Sequence, residues 1–348
     1  MPVELPTPSS LSRPSLPFDA PPRLRAADGK PRRVGIEIEF AGLDIDQAAA
    51  LVVELYGGTV EHDGRFGRLV KHTRLGEFRV ELDSTPLKEA RYQEFLAKIG
   101  VSTRVREVVD DALESIARQW IPSEIAAPPI TLNQLPQIEL LREALFTSHA
   151  EGTRKSILYA FGFQLNPEVP SMDAQTLTAH LQAFILIYDW IVDVSQIDFT
   201  RKFSPFIDPY PDEYRRHILA EGYDPDLDAL IDDYLKWNPT RNRPLDMLPA
   251  FATLRPDKVF GASREPNKIN PRPTFHYRLP NCLIDDPDWS FSTEWNRWVE
   301  VEKLAADLPI RQALAREYLE SDAVAHRHDR KEWSKHVQHA LKLPGARG

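Results

Sequence analysis

The chain has 348 residues, 42% apolar and 27% charged, a globular profile that excludes collagen-like, coiled-coil and disulfide-stapled architectures. Its 43 basic and 52 acidic side chains leave a net charge of −9, a field that repels nucleic acid and anionic membrane, so an anionic ligand needs a local cationic site or metal ions. Cys282 is the one cysteine, the start lacks the basic-then-apolar order of a secretory signal, and no uninterrupted apolar stretch approaches the roughly 18 residues of a spanning helix, so a cytoplasmic protein is expected.

Proline is in excess, 30 against 15 glycines, and its distribution punctuates the chain. Residues 1–31 hold eight prolines and no apolar periodicity, which predicts a disordered or loosely draped arm. RVGIEIEF then alternates Val34, Ile36, Ile38 and Phe40 against Gly35, Glu37 and Glu39, the period of a strand with one apolar face. Asp46 opens a predicted helix through DQAAALVVELY, stopped by Gly57 and Gly58. TVEHD and RLVKH predict two strands joined at Gly64, and EFRVELD a third. A helical stretch follows over residues 90–120, then an extended proline segment over 122–136.

A helix near 134–148 leads to the strand ILYAFGFQLN, with Tyr159, Phe161, Phe163 and Leu165 on one side and Gly162, Gln164 and Asn166 on the other. Asp173 caps TLTAHLQAFILIYDWIVDV, whose all-round hydrophobicity predicts a buried central helix. Residues 201–290 carry thirteen prolines and read as loop-rich, with helical pieces at DEYRRHIL and LDALIDDYL and a strand at TFHYRL. The end is helical, and its Trp289, Trp295 and Trp298 read as packing groups. His326, His328, His336 and His339 have spacing that admits zinc, but their Lys and Arg neighbours favour a solvated tail. One α+β domain is the economical architecture.

Four strands, far apart in sequence, set large polar residues at i and i+2 opposite an apolar face: Glu37 and Glu39, Arg79 and Glu81, Gln164 and Asn166, His276 and Arg278. A solvated face of an antiparallel sheet accounts for any one of them. Glu37 and Glu39, however, present two carboxylates about 7 Å apart with no base between, and these repel unless a cation lies between them. Hard oxygen donors suit Mg²⁺, which is completed by water and phosphate. No P-loop, dinucleotide-binding or hydrolase-elbow pattern occurs.

GIEIEF, ELDSTPL, the FQLN strand and the late FHYRLP strand together resemble the amidoligases of the glutamine synthetase and glutamate–cysteine ligase superfamily of carboxylate–amine ligases, over about residues 32–305. The resemblance implies an α+β fold, with a curved antiparallel sheet whose polar concave face binds ATP and Mg²⁺ and whose flanks are helical. That domain would occupy residues 32–320, between the arm and a basic helical tail over 321–348. It also implies Glu37, Glu39 and Glu81 as metal ligands. Where the family's central strand reads His-x-His this chain has Gln164 and Asn166, and where its late strand reads Glu-x-Arg, His276 takes the acidic place and Arg278 is kept.

On that basis Arg278 would meet the phosphoryl group or acceptor carboxylate and His276 the metal or phosphate, while Gln164 and Asn166 would bond nucleotide or substrate. Arg272 and Lys268, with Arg264, lie in a proline-bounded loop that would cover the phosphates, and Arg201 and Lys202 are further basic candidates. The expected reaction is ATP- and Mg²⁺-dependent amide formation through an acyl phosphate, joining small carboxylates and amines of amino-acid or peptide type. The alternatives are a non-catalytic binding or assembly module on the same fold, and a guanidino-group kinase.

Overall fold

The computed structural model describes residues 17–82, 122–153, 161–195, 208–321 and 329–345. Eight antiparallel strands form one open sheet: β1 (Arg33–Phe40), β2 (Thr59–His62), β3 (Gly67–Lys71), β4 (Phe78–Leu82), β5 (Ser123–Thr131), β6 (Phe163–Pro167), β7 (Leu245–Asp246) and β8 (His276–Tyr277). Their order is β2-β3-β4-β5-β1-β6-β8-β7, so β1 is central. The alternation read from β1 holds: Val34, Ile36, Ile38 and Phe40 are buried, and Glu37 and Glu39 are only partly covered.

Helices pack on the apolar face. Helix α1 (Ile45–Tyr56) lays Tyr56 on Phe78 of β4, with ring centroids 5.2 Å apart. Its N-cap is Asp44 rather than Asp46. Asp44 closes a capping box with Gln47, which leaves Asp46 to bind Arg68 of β3 at 2.6 Å. Gly58, at φ +100°, carries the chain from α1 into β2. A Cβ there would stand 2.3 Å from the Lys71 carbonyl, so a side chain is excluded.

The segment expected only as extended prolines is the strand β5, hydrogen-bonded on both sides, to β4 and β1. Its prolines fit because the register slips there. Val34 opposes Ile130 and Ile36 opposes Ala127, so Pro128 and Pro129 occupy a bulge where fewer ladder donors are required.

Helix α2 (Leu135–Thr147) follows, and α3 (Ala174–Val194) runs through the centre of the helical layer. The α3 helix is long and apolar enough to cross a bilayer, but 78% of its most apolar window is buried inside this fold. Asp173 caps it by accepting from the Thr176 amide at 2.7 Å. Helices α4 (Asp212–Leu219), α5 (Leu227–Trp237), α6 (Leu248–Leu254) and α7 (Pro256–Ala262) occupy the proline-rich region. Helix α8 (Phe291–Ala306) returns under the sheet: Phe291 stacks on Phe163 at 4.6 Å, and Trp298 packs on Phe275 and Tyr277 at 5.3 and 5.5 Å. Helices α9 (Leu308–Glu320) and α10 (Asp329–Leu341) lie against α3, where Trp333 donates to the Leu186 carbonyl at 2.8 Å. All three tryptophans singled out in the sequence, and Cys282, are buried.

Residues 17–31 of the arm are tied to α8. The buried Trp295 indole N–H donates to the Asp19 carbonyl at 2.8 Å, and Asn296 accepts from the Asp19 amide at 2.8 Å. Arg32 then enters β1 through a bidentate pair with Glu302 of α8, both contacts 2.7 Å and both side chains almost fully buried. Arg32 also donates to the Glu168 and Arg23 carbonyls, and Trp298 donates to Glu302, so this pair is fully hydrogen-bonded. The residue 90–120 helix, Asp83 and the rest of ELDSTPL, Tyr159, Arg201, Lys202, His326 and His328 lie outside the described residues.

Candidate active site

The face of the sheet opposite α1, α3 and α8 gathers the polar residues. Strand pairing places Glu39 directly opposite Glu124 of β5, and Glu124 directly opposite Glu81 of β4. Residues facing each other across antiparallel strands share a side, with Cβ atoms about 5 Å apart. Three carboxylates therefore run in a row across three adjacent strands, with Glu37 two residues from Glu39. Glu124 was not singled out in the sequence, because the prolines of SEIAAPPIT hide the alternation of Ser123 and Ile125 against Glu124.

On β6, Gln164 opposes Glu37, yet its amide reaches along the strand to Glu39: Nε2 donates to Glu39 Oε1 at 2.7 Å, and the Gly162 amide donates to the other oxygen at 2.7 Å. Asn166 does the same for Glu37, from Nδ2 at 2.9 Å, while its Oδ1 accepts from Arg272 Nη2 at 2.7 Å. A carboxylate can only accept here, so each amide is oriented with its NH₂ toward the glutamate. Gln164 and Asn166 thus hold the first-strand carboxylates in place.

The Gln164 orientation propagates. Its Oε1 faces His276 Nε2 at 2.6 Å, so Nε2 carries the proton, and Nδ1 turns to Asp246 Oδ2 at 3.4 Å. His276 is buried, and burial, reinforced by the positive field of Arg278, holds its pKa well below the ordinary imidazole value, so the ring is neutral. Asp246, of the two-residue strand β7, is fully buried, which lifts its carboxyl to about 6 against the pull of Arg241 and Arg278.

Three guanidinium groups surround it. Arg272 lies 3.7 Å from Glu37, Arg241 lies 4.0 Å from Asp246, and Arg278 donates to the Arg241 carbonyl at 2.9 Å. Burial lowers the Arg241 pKa, and Arg278 and Arg272 lower it further. Its buried Nε has no hydrogen-bond partner among the described residues and faces the Asp246 carboxylate at 4.0 Å. Arg241 and Asp246 carry no sequence signal: RNRPLD has no periodicity, and only the pairing of Asp246 with His276 and the bond from Arg278 to the Arg241 carbonyl bring them here.

Of the residues expected to act, Glu37, Glu39, Glu81, Gln164, Asn166, Arg272, His276 and Arg278 lie at this face. Lys268 sits in a short turn, bonded to Glu265 at 2.9 Å. In the tail, His336 pairs with Glu317 at 2.7 Å. Among the described residues no group of three or more His, Cys, Asp or Glu side chains is placed to hold a metal ion. The donor chemistry nevertheless fits Mg²⁺, which keeps several waters and takes one or two carboxylates beside phosphate. An open row of glutamates offers such carboxylates, with guanidinium groups alongside.

A family model described as "Putative amidoligase enzyme" matches residues 30–300, a span that holds every residue of this face. No curated protein and no solved structure matches. By that match the chain belongs to the amidoligase family of ligase enzymes.

Proposed function

We propose that the protein is an ATP- and Mg²⁺-dependent carboxylate–amine ligase that forms an amide through an acyl phosphate. The observation that carries this reading is one sheet face bearing an in-register row of carboxylates, Glu81, Glu124 and Glu39, beside a cluster of guanidinium groups, Arg241, Arg272 and Arg278. A carboxylate resists attack by an amine because its leaving group is oxide, and transfer of a phosphoryl group makes that oxygen a good leaving group. The chain's tasks are then to hold the nucleotide phosphates against the acidic row, neutralise charge on the transferred group and exclude water.

Glu37, Glu39, Glu81 and Glu124 would hold Mg²⁺, which when bound bridges phosphate oxygens and offsets their charge. Arg241, Arg272 and Arg278 would take the phosphoryl oxygens or the acceptor carboxylate. His276, neutral and bonded to Gln164, would donate no charge and would fix the amide that orients Glu39. Substrates would be small carboxylates and amines of amino-acid or peptide type.

The test is ADP release screened against pooled carboxylates and amines, with mass spectrometry for a condensation product lighter than its parents by one water. Calorimetry with Mg²⁺-ATP on the wild type and on Glu39→Ala checks the binding half. Heat in the wild type that is lost in the variant supports the assignment, and no heat in the wild type removes it. The amide bonds that already occupy Glu37 and Glu39 favour a second reading, a non-catalytic binding module on the same fold. ATP binding without turnover over the whole substrate screen would select it.

A further inference from the structure

On the helical side, away from the polar face, a cavity of about 290 Å³ opens between the start of α3, the end of α8 and the start of α9. Its volume lies near the lower end of ordinary ligand sites, roughly 300–1,000 Å³. Its apolar wall comes from Ala179, Ala305 and Leu308, and its polar groups are of two opposed kinds.

At one end stands Arg311, only 6% exposed. Its Nε donates to the Gln182 side chain and its Nη1 to the Leu304 and Ala305 carbonyls. All of these acceptors are neutral. Among the described residues no carboxylate lies within ion-pair distance of this guanidinium, and its Nη2 donates to nothing. Asp307, one turn earlier on the same helix, acts on it through space without forming an ion pair, while burial lowers its pKa, so a directly bonded anion would stabilise this guanidinium further. Arg23 adds a second positive charge at the rim.

At the other end stand His180 and Glu302. His180, also 6% exposed, points Nδ1 at the Thr176 carbonyl at 2.7 Å. A carbonyl only accepts, so the proton is on Nδ1 and Nε2 is a bare acceptor. Burial holds the ring below its ordinary pKa, hence neutral. Glu302 keeps its carboxylate on the same wall while pairing with Arg32. His180 and Arg311 both line the cavity.

We propose that this cavity is a binding site for a small zwitterion of the amino-acid class, with its carboxylate on Arg311 and its ammonium between His180 Nε2 and the Glu302 carboxylate. A simple anion would satisfy the guanidinium and leave His180 Nε2 without a donor, and a simple amine would do the reverse. The site is separate from the acidic row and does not depend on how that row acts. It adjoins the sheet from behind, since the His180 ring stacks on Phe275 at 4.8 Å, next to His276.

Thermal unfolding and calorimetry of the full chain, with each proteinogenic amino acid in turn, test this. Acetate, phosphate and ethylammonium serve as single-charge controls. At least one amino acid should raise the midpoint by about 2 °C or more at saturation, and no control should match it. The shift should persist in Glu39→Gln and disappear in Ala306→Phe, which fills the rim from an exposed position. Arg311→Met should weaken binding by about tenfold or more. The proposal is overturned if no amino acid binds, if acetate or phosphate binds as well, if binding survives Ala306→Phe, or if Glu39→Gln abolishes it, which would place the ligand on the polar face.

Discussion

Replacing Gln164 by glutamate separates the two roles a polar residue has at the centre of this face. In the wild type its NH₂ group stands 2.7 Å from Glu39 Oε1 and donates to it. The variant puts a carboxylate oxygen in that place. At such a separation two full charges repel by about 6 kcal/mol with an effective dielectric near 20. The site has a cheaper escape, because one carboxyl of ordinary pKa can take up a proton at pH 7 for about 4 kcal/mol and then donate the missing hydrogen bond. The expected loss of stability in EDTA at pH 7 is therefore about 4 kcal/mol. The native variant holds a proton that its unfolded chain has released, so stability is recovered as pH falls, at about 1.4 kcal/mol per pH unit, and the deficit closes near pH 4.5. Saturating Mg²⁺ offers the other remedy and should recover much of the deficit at pH 7, while the wild type changes less. Urea denaturation with and without Mg²⁺ across this pH range reads all three effects. Wild-type stability for the variant in EDTA at pH 7 would refute the placement of Gln164 against Glu39, and a deficit indifferent to Mg²⁺ would refute the acidic row as a cation site.

Glu124→Ala removes the middle carboxylate of the row, and Mg²⁺-dependent nucleotide binding should weaken by about tenfold or more in calorimetry, with little change in unfolding midpoint because the side chain is only partly covered. Burial raises Asp246 from 3.8 to about 6, so wild-type stability contributed by this group falls by about 3 kcal/mol as pH climbs through that interval. Asp246→Asn cannot ionise, so its stability relative to the wild type should climb by that amount between about pH 4 and about pH 6.5 in urea titrations. A difference independent of pH would show that the carboxyl is not held up by burial. Arg32→Met leaves Glu302 buried without its bidentate partner and should cost about 3–5 kcal/mol by chemical denaturation. A loss below about 1 kcal/mol would mean that water reaches the pair.

How far the sequence reveals this architecture depends on whether a residue's neighbours along the chain report its environment. In β1 they do: eight residues alternate, and the periodicity alone separates the apolar side chains from Glu37 and Glu39. In β5 they do not, because Pro128 and Pro129 suit a loop as well as the bulge that opposes Gly35, and that bulge is a property of the pairing with β1. The N-terminus of α1, by contrast, is local: Gln47, three residues after Asp44, completes a capping box that Asp46, with Ala49 in that place, lacks, and Asp46 is left to pair with Arg68 of β3. At the candidate site the limit becomes chemical. His276 and Arg278 stand out by alternation, but the imidazole is kept neutral by burial and then by the field of Arg278, Arg272 and Arg241 against that of Glu37, groups brought together only by the fold. Asp246 belongs to a strand of two residues, too short to carry any period, and its raised pKa comes from burial that no local pattern encodes. The substitution of amides for the family's histidines is legible at a glance, whereas its consequence is not. Only the folded pairing of β1 and β6 shows that Gln164 and Asn166, expected to bond nucleotide or substrate, clasp Glu39 and Glu37 instead, so a cation would have to compete with these hydrogen bonds before it could bind.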